Sequence, residues 1–227
     1  MRLDQRRLTF VSYRLLYPSL DRFHNEIAEF LPRAREYFPF EHFHMDGDSG
    51  GVVESEGRKR LEIERDRLSF QEQVTEDFDV VKINIVHLMT LTLLHFEIPV
   101  FVLRRVTLRQ RWPMEPGAPP AGEAMRERAI KLEPSNFEPL GPIENTGLHL
   151  VGSVGGEEDA SHQDGGREFH WHLEIDPFQT SDNDLYIQLQ TYFADPLTTA
   201  EDLADALQAS HAFLYDNVGK FVEGFMP

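Results

Sequence analysis

A chain of 227 residues with 41% apolar and 27% charged residues can bury a sizeable core and is not disordered by composition. It has no cysteine, which excludes disulfides and thiolate metal sites and leaves no argument for an oxidising compartment, so a cytoplasmic location is expected. A net charge of −17 gains nothing from phosphate counterion release, so no nucleic-acid partner is expected. The charge is uneven. From Val154 onward 15 acidic residues face only Arg167 and Lys220, a net −13, whereas the first 153 residues carry 24 acidic and 20 basic ones.

Met1 to Arg7 has neither the apolar stretch nor the small-residue cleavage site of a signal peptide. Leu8 to Tyr17 then reads as a strand, broken by Tyr-Pro-Ser. Ser19 is positioned to cap a helix from about Leu20 to Tyr37, where Phe23, Ile27, Phe30 and Leu31 recur at helical spacing, with Pro32 as a kink or stop. Gly50 to Glu56 and Arg60 to Gln73 read as a hairpin turned around Glu56-Gly57. An apolar helix is expected from Phe78 to Glu97, followed beyond Pro99 by a strand from Val100 to Trp112.

Val80 to Leu103 is apolar enough to raise the question of a membrane. Lys82, Asn84, His87, His95, Glu97 and Pro99 interrupt it, so a buried helix followed by a buried strand is expected, with no membrane partner. Between Pro113 and Pro142 there are seven prolines around one helical stretch, Gly122 to Leu132, which marks a crossover over 113–146. Three strands follow, Gly147 to Val154, Glu168 to Asp176 and Asp184 to Phe193, the first two joined by a polar glycine-rich loop, Gly155 to Gly166. A helix from Thr198 to Phe225 closes the chain, capped by Thr198 or Thr199. Its apolar face carries Leu203, Leu207, His211, Leu214, Val218 and Phe221.

Together these elements predict a single α+β domain over 1–227. Its mostly antiparallel sheet has about six to seven strands, with two to three long helices on one face; a helix-grip arrangement is the alternative. Pseudo-halves 1–99 and 100–227 each open with a strand and close with a long helix, which suggests an internal duplication.

Gly47-Asp48-Ser49-Gly50-Gly51 reproduces the nucleophile motif of trypsin-like serine proteases. Only 46 residues precede it, too few to supply the histidine and aspartate on a preceding barrel, so it reads as a glycine-rich hairpin turn. His42/His44 and His170/His172 are the candidate metal pairs, because strand residues i and i+2 point to one side. No metal or other cofactor is assigned. His170, His172, Glu174 and Asp176 alternate with Phe169, Trp171, Leu173 and Ile175, which predicts either a solvated sheet face or a ligand-lined one. Arg105, Arg109 and Arg111 share one side of a neighbouring strand, as do Tyr186, Gln188, Gln190 and Tyr192 on another. These arginines are expected to pair with Glu174 and Asp176, or to hold an anionic ligand or acidic partner segment. His87, His95 and His211 are expected as core or boundary histidines.

Leu61 to Phe70, Val102 to Arg109, Leu173 to Asp176 and the last helix with Ser210, His211 and Phe221 together resemble a sporadically distributed bacterial family of uncharacterised proteins of 230–260 residues. The resemblance implies a shared α+β fold and no activity. The expected function is a non-enzymatic protein-interaction or ligand-binding role, with a protein partner bound through the polar sheet face or the crossover. Two alternatives stand beside it. One is a metal-dependent or small-ligand enzyme centred on His170 and His172 with Glu174 or Asp176 as base, and the other is an acidic nucleic-acid mimic.

Overall fold

A computed structural model describes residues 6–37, 40, 42–46, 49–53, 58–74, 77–130, 146–155, 167–178 and 181–226. In chain order the elements are β1 (Arg7–Leu16), α1 (Phe23–Tyr37), β2 (His42–Asp46), β3 (Ser49–Val53), β4 (Lys59–Glu64), β5 (Arg67–Gln73) and α2 (Phe78–His95). The second half follows with β6 (Phe101–Pro113), α3 (Ala121–Met125), β7 (Leu148–Val154), β8 (Phe169–Phe178), β9 (Ser181–Tyr192), β10 (Pro196–Leu197), α4 (Ala200–Ala212) and α5 (Gly219–Glu223). A π-helical segment, Arg126–Ile130, extends α3, and another, Phe213–Val218, joins α4 to α5.

All strands join one antiparallel sheet in the order β2-β3-β4-β5-β1-β6-β9-β8-β7, with β10 pairing the start of β6. The order is nearly a mirror about the β1–β6 pair. Each half places its first strand at the centre, its last long strand beside it and its earlier ones outward. The expected α+β architecture therefore holds, and the repeated element order of the two halves is visible in it.

The strands alternate, and one side of the sheet is the core. Val11, Tyr13 and Leu15 of β1, Leu103, Val106 and Leu108 of β6, and Leu185, Ile187 and Leu189 of β9 are almost fully buried. Against them pack Ile27 and Phe30 of α1, Ile85 and Leu88 of α2, and Leu203 and Leu207 of α4. Gly50 lets α1 approach the sheet, because a Cβ there would stand 2.8 Å from Ile27 Cγ1. Thr191 of β9 and Ser210 of α4 share a buried hydrogen bond of 2.7 Å across the same layer.

Several elements differ from expectation. Pro32 lies inside α1 without ending it, and the helix begins at Phe23 after a turn at Asp21-Arg22. The strand expected from Arg60 to Gln73 is two strands, β4 and β5, joined at Arg65-Asp66. Of the protease-like motif, Ser49, Gly50 and Gly51 lie on β3, with Ser49 paired to Asp46 of β2, and Gly47 and Asp48 lie outside the described residues. The expected turn at Glu56-Gly57, most of the loop to Gly166 and residues 131–145 of the crossover lie outside the described residues.

Helix α2 is capped by Asp77, whose side chain accepts the Asp79 N–H at 3.0 Å. It is the described helix with the length and apolar composition to cross a membrane. Its Phe78, Val81, Ile85, Leu88, Met89 and Thr92 are buried in this core, but Val80, Ile83 and Leu94 are exposed. It is thus half buried where full burial was expected. His87 is exposed as well, while His95 sits at the boundary with Nε2 2.9 Å from the Glu26 carbonyl.

The last helix starts in a capping box. Thr199 accepts the Asp202 N–H, and Asp202 accepts the Thr199 N–H in return. Hydrogen bonds from the backbone of Thr198 first, then from Thr199 and Arg167, hold the Asp202 carboxyl down at about 2. The π-helical segment changes which face is buried downstream. Leu214, Val218 and Val222 are buried at intervals of four, and Phe221, expected on that face, is exposed.

Candidate functional site

No described element covers the other side of the sheet, and the register sets its residues in rows. One row runs Ser12, Thr107, Gln190, His172 and Val151 across β1, β6, β9, β8 and β7. The next runs Phe10, Arg109, Gln188, Glu174 and His149. Beyond it lie Arg7, Arg111, Tyr186 and Asp176. The expected site residues of β6 and β8 therefore do share one face, as do the four polar residues of β9 between them.

The expected ion pairs form differently, because β9 separates β6 from β8. Two strand spacings of about 4.8 Å each separate the backbones of Arg109 and Glu174. Instead Arg109 Nε donates to Gln188 Oε1 at 2.8 Å, and Gln188 Nε2 donates to Glu174 Oε2 at 2.6 Å. The Tyr186 hydroxyl adds a bond to Gln188 Oε1 at 3.2 Å, and the Arg109 guanidinium lies 4.4 Å from the Phe10 ring centroid. Gln188 is 7% exposed, so its amide relays the contact within a shielded row.

Arg111 pairs with the buried Asp184 through two nitrogens, its Nε at 2.9 Å. Asp176 faces His149 at 3.9 Å; burial raises its carboxyl above the usual carboxylate range, His149 opposes that shift and Glu174 adds to it. Arg105 makes no hydrogen bond or ion pair among the described residues. It lies directly across from Arg14, as Arg7 does from Arg111, so two arginine–arginine pairs sit in register on the two central strands.

His170 and His172 are exposed on β8 and project from this same face; His172 meets the Tyr192 ring edge-on at 5.3 Å. His42 and His44 are exposed on β2, at the far edge of the sheet. Among the described residues no three histidine or acidic side chains are grouped to hold a metal ion.

A cleft of about 910 Å³ opens at one end of the central strands, where Arg7 and Arg111 lie. Sequence reasoning missed it, since it joins β1, β6, the start of α2 and the π-helical segment. His211 lines it and stacks on Phe78 with ring centroids 3.8 Å apart and planes 1° from parallel. Burial lowers the His211 pKa to about 4, so the imidazole is neutral at pH 7. Tyr215, one helical turn on, lies 4.3 Å from the His211 ring and 4.4 Å from the Arg6 guanidinium.

No protein-family model matches the chain, and no curated protein matches it in sequence. Among solved structures, the TBP of Methanococcus jannaschii is similar at 11% identity, with 91% of this chain and 98% of that chain covered and a TM-score of 0.36. A likeness at that level carries no argument about what this chain does.

Proposed function

We propose that this chain is a non-enzymatic interaction protein whose uncovered sheet face receives an acidic segment of a protein partner. One observation carries the reading: the two central strands place Arg14 opposite Arg105 on that face, in a chain of net charge −17. Like charges directly across a strand pair oppose folding, and an anionic partner would relieve the repulsion. Guanidinium groups hold carboxylates bidentately, and the flanking Gln190 side chain offers an amide N–H to an extended peptide. The overall negative charge does not forbid this, since charges beyond about 8 Å are screened at physiological salt. A cysteine-free chain suits a reducing compartment, so the reading places both proteins in the cytoplasm.

The test is affinity capture from an extract of the source cells with the wild-type protein and with Arg105→Ala/Arg109→Ala. A partner retained by the wild type and by Arg65→Ala, on the β4–β5 turn, is expected to be lost from the double variant. Equal capture by the double variant would refute the role of this face.

A further inference from the structure

The cleft at the end of β1 is built for a different kind of ligand from the one the sheet face would take. Its walls combine charge with flat apolar surface. β1 contributes Arg7, Leu8 and Thr9, and α2 contributes its first turn, with Asp77 and Phe78. His211 and Tyr215 form the opposite wall, and Arg111 with Asp184 closes one side. At about 910 Å³ the space is of small-molecule size.

Three features organise the cleft beyond mere concavity. The first is a continuous stack from Phe78 through His211 and Tyr215 to Arg6, whose guanidinium also lies 5.7 Å from the Trp112 ring centroid. The second is the helical irregularity at that stack. In an α-helix the Gly219 N–H would bond the Tyr215 carbonyl; here it bonds the Asp216 carbonyl, and Arg6 Nη1 donates to the Tyr215 carbonyl at 3.0 Å. Gly219 makes room for that arginine, because a Cβ there would stand 2.9 Å from Arg6 Nη1.

The third feature is charge. Arg111 and Asp184 pair with each other, which leaves Arg6 and Arg7 against Asp77. The Arg7 side chain makes no hydrogen bond or ion pair among the described residues. The N-terminal end of the 18-residue helix α2 adds its partial positive charge at the same place.

We infer that this cleft binds a small organic anion, its oxyanion head beside Arg7 and Arg111 and its flat apolar body along Phe78, His211 and Tyr215. The neutral imidazole fits such a body, since a charged one would draw water into the stack. Carboxylates and phosphates share the head-group chemistry, and the choice between them is left to the measurement.

Isothermal titration calorimetry with phenyl phosphate, benzoate and inorganic phosphate tests the inference. One of the two aromatic anions is expected to bind more tightly than inorganic phosphate, and which one wins assigns the head group. Arg7→Gln, at an exposed residue, is expected to weaken that binding by about tenfold, a change of about 1.4 kcal/mol, while Arg65→Gln leaves it unchanged. Near-ultraviolet circular dichroism checks that Arg7→Gln keeps the native fold. Heat from none of the three anions would overturn the site, as would equal binding by the Arg7→Gln protein. Inorganic phosphate binding as tightly as the aromatic anions would overturn the assigned flat body. Partner capture through Arg105 and Arg109 is read separately, so either reading can fail without the other.

Discussion

The two sides of β6 carry opposite chemistry over the same residues. Leu103, Val106, Leu108 and Trp112 face the helices and are fully buried, whereas Arg105, Arg109 and Arg111 lie on the other side of the strand. The inner side is held by close packing, where each lost methylene is felt. The outer side is held by relayed hydrogen bonds and a few ion pairs, which contribute little individually. Close packing is therefore confined to one side of the strand, and substitutions on the two sides should behave differently.

The largest effect is expected on the inner side. Leu108→Ala should cost about 2–5 kcal/mol in chemical denaturation, because a fully buried side chain leaves a cavity between sheet and helices. Gly50→Val should cost about 1–3 kcal/mol, since its Cβ would already crowd Ile27 of α1. Thr199→Ala removes half of the capping box and should cost about 1 kcal/mol. By contrast Arg109→Ala, immediately beside Leu108, should change stability by no more than about 1 kcal/mol. A loss for Arg109→Ala as large as that for Leu108→Ala would break the division between the two sides.

The pH dependence sharpens the same contrast. Burial lowers the folded pKa of His211 from 6.5 to about 4, so the unfolded chain binds the proton more readily. Its contribution is complete above pH 6.5 and is lost as pH falls toward 4. His211→Phe keeps a flat ring on Phe78 and should reduce the fall in melting temperature between pH 7 and pH 5. An unchanged slope would show that another group carries it.

Much of this arrangement was legible in the sequence wherever periodicity was strong. The alternation from Phe169 to Asp176 gave β8 with both faces correct, and Arg105, Arg109 and Arg111 do share a side. The split between β4 and β5 was also encoded, though less openly. Leu61 and Ile63 have odd numbers and Leu68 and Phe70 even ones, all four are buried, and a single strand cannot bury both parities on one face. The turn that reconciles them, Arg65-Asp66, has no glycine or proline to announce it.

Other features depend on long-range pairing that no local pattern shows. Arg14 meets Arg105, and β9 stands between Arg109 and Glu174, only through the sheet order. The cleft joins residues more than 200 positions apart, as the Arg6 bond to Tyr215 illustrates. The π-helical segment left one trace: Leu214, Val218 and Val222 form an apolar line that bypasses Phe221.

The most direct test of the central claim is site-specific photocrosslinking in the source cells. Gln190, on the uncovered face, and Glu29, exposed on α1, are each replaced by p-benzoylphenylalanine. The account predicts one discrete crosslinked protein from position 190, absent when Arg105→Ala/Arg109→Ala is combined with it, and none from position 29. A crosslink from position 29 alone would place recognition on the helices and contradict the account.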